Sequence, residues 1–415
     1  MRFQGRQYSL DEKRTVDIRL TGASGCDFLV TAFLFTICFV VREGRDAMCS
    51  DEEYMHEAIR LAKHAVGRTS PNPLVGAVIV KDGRIVGEGW HRKAGTPHAE
   101  VHALRMAGEL AKGATLYVTL EPCSHYGRTP PCAKAVAESG ISRVVIGMQD
   151  PNPLVAGKGI QILRDAGVDV RKGVCEEEAR ALNAPFLKWI QSGIPFIAVK
   201  MAMSLDGKIA TSKGESQWIT NEDSRGFGHR LRDIYDGILV GINTVIKDDP
   251  SLTSRLPNGS GRNPSRVVLD SMASIPLKSK LLNDGAADTI IAASEMAPED
   301  KVKAIEAKER VKVIRAGSKM VDLPILMKRL GEMEITSLLV EGGATVNDSF
   351  FREGLCDKVY AFIAPMIIGG KNALSPVGGV GFGSLSDAVR LCHMKTCDMD
   401  GDILVTADVI RTDKG

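Results

Sequence analysis

Four residues of this chain have the types and spacing to hold a metal ion beside a proton-transfer group: His98, Glu100, Cys123 and Cys132. His98 and Glu100 stand two residues apart in a predicted helical first turn, where both side chains can face one cavity. Cys123 follows Pro122 at the end of the LYVTLE strand, and Cys132 opens the next helix. One imidazole and two thiolates leave a tetrahedral zinc ion an open position for water. The metal lowers that water's pKa towards about 7, so hydroxide is accessible at neutral pH. Glu100 is not a ligand in this scheme. It takes the water proton and delivers it to the ring nitrogen and the departing amine, the division of labour of zinc deaminases.

A closed structural zinc site would need a fourth ligand, for which His102 or His125 are the candidates. His102 lies four residues beyond His98, so HAEVH resembles the metalloprotease pair of histidines, but Ala99 stands where that motif carries Glu. The order Pro-Cys after a strand, then Cys at a helix start, fits the deaminase signature better. One departure is informative: eight residues separate the cysteines, as CSHYGRTPPC, where the usual signature has two. The longer loop is either a solvated turn or a device that projects His125 and Arg128 beside the metal, and the second suits groups that read a phosphate. Asn72, in SPNPLVGA, is either an amide for the pyrimidine edge or a turn-forming Asn.

These residues need elements to position them. Apolar residues at helical spacing from Glu52 to Ala65 predict an opening helix. LVGAVIV and RIVGEGWH read as a hairpin turned at Asp82-Gly83. Pro97 is placed in the first turn of the helix carrying His98. ATLYVTLEP, a helix from Cys132 to Gly140, and RVVIGM continue a β–α alternation, which argues an α/β layer fold to about residue 175. Helical spacing recurs in ARALNAPFLKWIQ. A second α/β domain then begins near Pro195, with strands FIAVKMAM, GILVGI, RVVLDS, TIIAAS, VKVIRAG, SLLVEGG and KVYAFIAPMIIGG. The division is a leader over 1–47, a first domain over 48–175, a linker over 176–194 and a second domain over 195–415.

The second domain lacks G-x-G-x-x-G after a strand, so the usual dinucleotide fingerprint is absent. LLVEGGATVNDSF offers paired glycines before a helix start, which is either a phosphate cradle or a plain strand–helix turn.

TPHAEVHAL, VTLEPCSHYGRTPPC and DPNPLVAGKG together closely resemble the bifunctional riboflavin-biosynthesis deaminase–reductases, over about residues 50–411. The resemblance implies a cytidine-deaminase-like three-layer α/β/α domain followed by a dihydrofolate-reductase-like α/β domain. It also implies two steps: deamination of 2,5-diamino-6-ribosylamino-4(3H)-pyrimidinone 5′-phosphate, then reduction of the ribosyl chain to ribityl with NADPH. The cofactors implied are one zinc ion per deaminase domain and NADPH. KMAMSLDGKIAT, GESQWIT, GINTVIKDDPSLTSR, VVLDS and VEGGATVNDSF carry the second half of the resemblance. Through it, Ala156, Trp218, Thr244, Asp248 and Ser271 would line the cofactor, with Gly343, Ala344, Thr345, Val346, Asn347, Asp348 and Ser349. Ser216, Arg232, Leu252, Arg255 and Glu341 would hold substrate, the arginines as phosphate clamps. Lys200 and Asp206 sit at the strand-end entry, and Lys200 would either polarise the sugar oxygen or assist proton delivery, or be a plain exposed edge-strand lysine. The same resemblance suggests a homo-oligomer.

Composition limits the competing functions. With 53 basic and 51 acidic residues the net charge is +2, and no long basic run offers a footprint for nucleic acid. Aromatic residues make up 5%, too few to suggest base-stacking platforms. A deaminase acting on nucleic acid is therefore disfavoured. A deaminase with a vestigial reductase domain and a zinc-stabilised binding protein remain as alternatives. Nine sparse cysteines argue a reducing, cytoplasmic compartment. The apolar run Asp27–Val41 is short of the roughly 20 residues a membrane span needs, and Met48 opens a normal soluble start. The expectation is that the natural chain begins at Met48 and that no membrane engages the catalytic part.

Overall fold

Local chemistry starts the first helix. The Ser50 hydroxyl accepts from the Glu53 N–H while the Glu53 carboxylate accepts from the Ser50 N–H, a reciprocal cap that opens α1 (Asp51–Lys63). The computed structural model describes residues 50–124, 131–152, 155–257, 259 and 261–411, and the leader lies outside them.

The first sheet has five strands in the order β2-β1-β3-β4-β5. They are β1 (Gly76–Lys81), β2 (Arg84–Trp90), β3 (Thr115–Leu120), β4 (Arg143–Met148) and β5 (Asp169–Lys172). β1 runs antiparallel to β2 and β3, whereas β3, β4 and β5 are parallel. The β1–β2 hairpin closes from Lys81 to Arg84, with Asp82 at φ 49° and Gly83 at φ 74°. Two consecutive left-handed residues give the turn that Asp-Gly favours.

Both faces of this sheet are covered. On one, Tyr54, Met55, Ala58 and Ile59 of α1 meet Val78, Val80, Tyr117 and Val145. On the other, α2 (Ala99–Ala107), α3 (Cys132–Glu138) and α4 (Lys158–Asp165) cover Ala77, Ile79, Leu116, Val118, Val144 and Ile146. The fit of α2 on β2 is close: a Cβ at Gly87 would lie 2.3 Å from the Ala103 carbonyl oxygen, and one at Gly89 2.3 Å from that of Ala99. Glycine on the strand and alanine on the helix thus let α2 sit directly against the sheet. Pro97 differs from its expected place. The helix begins at Ala99 with His98 as its extended N-cap, φ −77° and ψ 169°, so Pro97 precedes the cap.

The predicted helical linker forms α5 (Glu176–Leu182) and α6 (Ala184–Ser192), broken at Asn183. The break is held from the first domain, because the Asn183 amide accepts from Leu74 N–H at 2.8 Å and donates to Leu74 C=O at 2.9 Å. From the other side, Lys188 pairs with Asp357 and the Trp189 indole donates to Gly331 C=O at 2.9 Å.

The second sheet has nine strands in the order β10-β9-β8-β7-β11-β6-β12-β14-β13. Its central strands are β6 (Phe196–Ser204), β7 (Gly237–Gly241), β8 (Ser265–Leu269), β11 (Ser337–Val340) and β12 (Lys358–Ala364), with β9 (Thr289–Ala293) and β10 (Val311–Arg315) at one edge. All of these neighbours pair in parallel. The helices include α7 (Glu222–Ile234), α8 (Ile242–Asp248), α9 (Lys280–Asn283), α10 (Glu299–Glu306), α11 (Leu323–Glu332) and α12 (Ala344–Arg352). The other edge is an antiparallel hairpin, β13 (Leu391–Met399) with β14 (Asp402–Val409), which the sequence reading did not mark. β13 is an edge strand with mostly exposed residues and a register shift between Cys392 and Lys395, so it lacks the apolar run that identified the central strands.

Candidate active sites

The N-cap geometry of His98 aims its imidazole away from α2, towards the strand end at Cys123. Its Nδ1 lies 3.6 Å from Cys123 Sγ and 3.3 Å from Cys132 Sγ. Donors at about 2.1 and 2.3 Å from a tetrahedral zinc stand about 3.6 Å apart, so this spacing fits the ion. Among the described residues, these three form the only cluster of possible ligands within 4.8 Å of one another. The Cys132 N–H also donates to Cys123 Sγ at 3.3 Å. The Cys132 side chain first, then His98 and this N–H, act against burial to hold the Cys123 thiol well below the ordinary thiol range.

Glu100 lies on the first turn of α2, 3% exposed, and its Oε2 has no hydrogen-bond partner. Burial pushes its carboxyl up to about 7, opposed by the His98 charge. A buried carboxylate oxygen facing a three-donor cluster is placed to take a proton from a molecule in the open position. His102, by contrast, stands outside the cluster and packs over β2, where a Cβ on Gly89 would meet its own at 2.7 Å. The two histidines of HAEVH are therefore not a metal pair, and His102 supplies no fourth ligand. His125 and Arg128 lie outside the described residues.

Two residues that sequence reasoning did not single out shape this site. Glu121 is 4% exposed, and its carboxylate accepts from the N–H groups of Asp150, Gly157, Gly159 and Ile160 at 2.9–3.2 Å. It caps the start of α4 and so anchors the strand end that carries Cys123. His91, 2% exposed, meets His98 edge-to-face at 5.1 Å. Its Nδ1 lies 3.2 Å from the Pro97 carbonyl and its Nε2 3.1 Å from Asn72 Nδ2. The carbonyl requires the proton on Nδ1, so Nε2 accepts from the Asn72 amide and leaves Asn72 Oδ1 for another donor. Burial also lowers the His91 pKa, which favours this neutral form.

The cluster opens into a cavity of about 580 Å³ lined by Asn72, His91, Glu100 and Asn152. Phe186, Trp189 and Ile190 of α6 form part of its wall, and Glu334 of the second domain also reaches it. Asp233 and Asp236 hold the two domains together here: Arg68 forms a forked pair with Asp233 at 2.9 and 3.0 Å, and the Ser70 hydroxyl donates to Asp236 at 2.6 Å.

In the second domain, Thr244 and Asp248 on α8, Ser271 after β8, and Gly343–Ser349 at the start of α12 all follow the carboxyl ends of adjacent parallel strands. This is where open α/β sheets bind ligands. Gly343 is the extended N-cap of α12, and a Cβ on Gly342 would lie 2.5 Å from that of Val346, so the turn is tight. Ser216 and Trp218 lie between β6 and α7, with the Arg225 guanidinium 4.8 Å from the exposed Trp218 ring. Ala156 sits apart from this group, in the first domain just before α4 and beside the cavity-lining Val155.

Two of the candidate residues, Arg232 and Lys200, meet at Glu341. Arg232 of α7 donates to it at 2.7 and 2.9 Å, and Lys200 Nζ stands 4.0 Å away. Despite burial, which acts to raise it, Arg232 and Lys200 hold the Glu341 carboxyl down to about 2. Lys200 is on β6, between β11 and β12, so it is not an edge-strand lysine. Its ammonium also lies 5.6 Å from the Phe362 ring, and burial lowers its pKa. Arg232 further donates to Thr253 C=O at 3.3 Å, beside Leu252, which is buried with φ 52°. Arg255 follows on the exposed end of the same segment. Asp206 accepts from the N–H groups of Ile368 and Gly369, tying the end of β6 to the loop after β12.

Comparison with known proteins falls along the same division. Residues 48–148 match the cytidine and deoxycytidylate deaminase zinc-binding region, and residues 195–405 match the RibD C-terminal domain. The riboflavin biosynthesis protein RibD of Aquifex aeolicus is 48% identical over 356 residues, covering 86% of this chain and 97% of the relative. That of Bacillus amyloliquefaciens is 46% identical over 86% of this chain and 96% of the relative. The structure of Acinetobacter baumannii RibD superposes with a TM-score of 0.79 at 40% identity, covering 87% of this chain and 99% of that one. A Thermotoga maritima structure, described as a diaminohydroxyphosphoribosylaminopyrimidine deaminase/5-amino-6-(5-phosphoribosylamino)uracil reductase, gives 0.77 at 39% identity, with coverage of 87% and 99%.

Proposed function

This chain belongs to the RibD family of bifunctional riboflavin-biosynthesis deaminase–reductases, and from that premise we propose how its own residues divide the two steps. A cytidine-deaminase-like domain precedes the reductase domain, and the pair calls for zinc and a nicotinamide cofactor. Among the described residues no helix is long and apolar enough to cross a membrane.

The proposed first substrate is 2,5-diamino-6-ribosylamino-4(3H)-pyrimidinone 5′-phosphate, taken by the domain spanning residues 48–175. His98, Cys123 and Cys132 would hold one zinc ion, which would lower the pKa of a water so that it could attack the amine-bearing carbon. Glu100 takes the water proton and returns it to the ring nitrogen and the amine, so water enters and ammonia leaves. Asn72 binds the pyrimidine edge through its free amide oxygen, and His125 and Arg128 take the phosphate. The orphaned Glu100 Oε2 beside three converging donors carries this half of the reading.

The domain spanning residues 195–415 then reduces the ribosyl group. Trp218, Thr244, Asp248, Ser271 and the 343–349 turn would bind NADPH, which would supply the hydride; Ala156, held in the first domain away from this group, is left out of the cofactor site. Ser216, Arg232, Leu252, Arg255 and Glu341 hold the substrate. Lys200 polarises the sugar oxygen or delivers the proton that accompanies hydride transfer, its ammonium kept in place by the ionised Glu341. We further propose a cytoplasmic homo-oligomer, a location consistent with a site that needs two reduced thiols.

The test supplies the deaminated intermediate directly and follows NADPH oxidation. Oxidation at a rate comparable with deamination is expected. Failure to oxidise by protein that still deaminates would leave the second domain vestigial.

A further inference from the structure

One buried polar atom near the second site has no partner and belongs to none of the residues above: Nδ1 of His229. His229 precedes Arg232 by three positions on α7, so the two side chains share a face of the helix. That face meets the segment Leu252–Arg255. The Ser254 hydroxyl donates to the His229 carbonyl at 3.2 Å, and Arg232 holds the Thr253 carbonyl at 3.3 Å. The charged groups around the imidazole are Arg232, Arg255 and Glu341, all proposed to face substrate.

We propose that His229 is a further substrate-binding residue of the reductase half, its Nδ1 accepting a hydrogen bond from a hydroxyl of the ribosyl group. The proposal rests on the reductase reading above. Burial and the two arginines push this histidine down to about 4, and the Thr253 carbonyl takes the one ring proton. Nδ1 is therefore an acceptor throughout the working range. Above its second pKa of about 6 a phosphate monoester has lost the proton it could give an acceptor nitrogen. The phosphate belongs to the arginines, and the sugar hydroxyls supply the donor that His229 lacks. An acceptor buried without a partner is costly, so a ligand that provides one gains affinity and orientation together.

The experiment compares wild type, His229→Phe and His229→Asn for NADPH oxidation with the deaminated intermediate. Phenylalanine keeps the ring volume and removes the acceptor, whereas the Asn carbonyl oxygen can take the place of Nδ1. The expected result is a rise of about tenfold or more in KM for the intermediate with Phe. Asn should recover most of the loss, and KM for NADPH should not move. The Phe-to-wild-type ratio of KM stays flat across about pH 6–9, because a neutral imidazole does not titrate there. An unchanged KM for the intermediate in a folded Phe variant, as a trapped water would give, overturns the proposal. So does a rise confined to NADPH. If Phe fails to fold, His229→Leu makes the same comparison. If wild type itself oxidises no NADPH, the reductase reading has failed rather than the role of His229.

Discussion

Arg232 and Glu341, 109 residues apart in the chain, close a two-pronged ion pair with Nε–Oε1 at 2.7 Å and Nη2–Oε2 at 2.9 Å. The pair joins α7 to the end of β11 and places a fixed negative charge beside Lys200. A guanidinium can make both contacts while still reaching the Thr253 carbonyl, which an ammonium cannot. Arg232→Lys should therefore lower reductase kcat/KM by about 10- to 100-fold, in line with losing one hydrogen bond to a charged group. Deamination should be unaffected. Steady-state assays of both activities on the same preparation check this.

Lys200→Met removes the ammonium and keeps the length of the side chain. The expected loss in hydride transfer is about 10²–10⁴-fold, the range for a positioned proton-transfer group. NADPH binding, followed by fluorescence, should persist. Loss of NADPH binding instead would assign Lys200 to the cofactor.

Glu100→Gln keeps the shape of the buried side chain and removes its capacity to carry a proton. Deamination should fall by about 10²–10⁴-fold while metal analysis still finds one zinc per chain and NADPH oxidation continues. If deamination survives, Glu100 is not the proton carrier. Prolonged chelation should likewise abolish deamination and spare the reductase.

Glu121 holds four backbone N–H groups at the start of α4, and with them the segment that ends in Cys123. Glu121→Ala leaves those donors buried without an acceptor. Zinc retention should weaken by about 10- to 100-fold, the usual cost of losing support behind a ligand. Competition with a chromophoric chelator measures it, and unchanged affinity would show that Cys123 is held by other contacts.

Asp51 accepts from Arg143 at 2.7 and 2.9 Å, from Arg171 at 2.6 Å and from the Tyr117 hydroxyl at 2.9 Å. Its pKa is lowered, first by the Arg143 hydrogen bond. A depressed carboxylate contributes stability above its unfolded pKa of about 4, and loses it as pH falls through the folded value. Asp51→Asn should cost about 1–3 kcal/mol at neutral pH, and the gap should close under acid. Thermal midpoints of the two proteins at several pH values provide the comparison.

The cluster of His98, Cys123 and Cys132, Glu100 and the central strands of both sheets were legible in the sequence because their signals are local. A buried strand announces itself by a short apolar run, as RVVIGM does over β4, and the Asp82-Gly83 turn needs only two residues with positive φ. Even the long cysteine spacing is a local fact, and it directed attention to a small phosphorylated substrate. The sequence alone could not show that His91 orients Asn72, since the two are 19 residues apart and meet only across a folded cavity. Glu121 read as one more residue of a strand until α4 brought four N–H groups to it. Nor did any periodicity mark that α6 and Glu334 wall the first cavity, or that Glu341 gathers Arg232 and Lys200 from two other elements. The chain's order settles which groups are available and the local shapes that carry them. Which groups meet is settled by strand order, by helix-on-sheet approach and by docking of the two domains, all of which bring together atoms far apart in the chain.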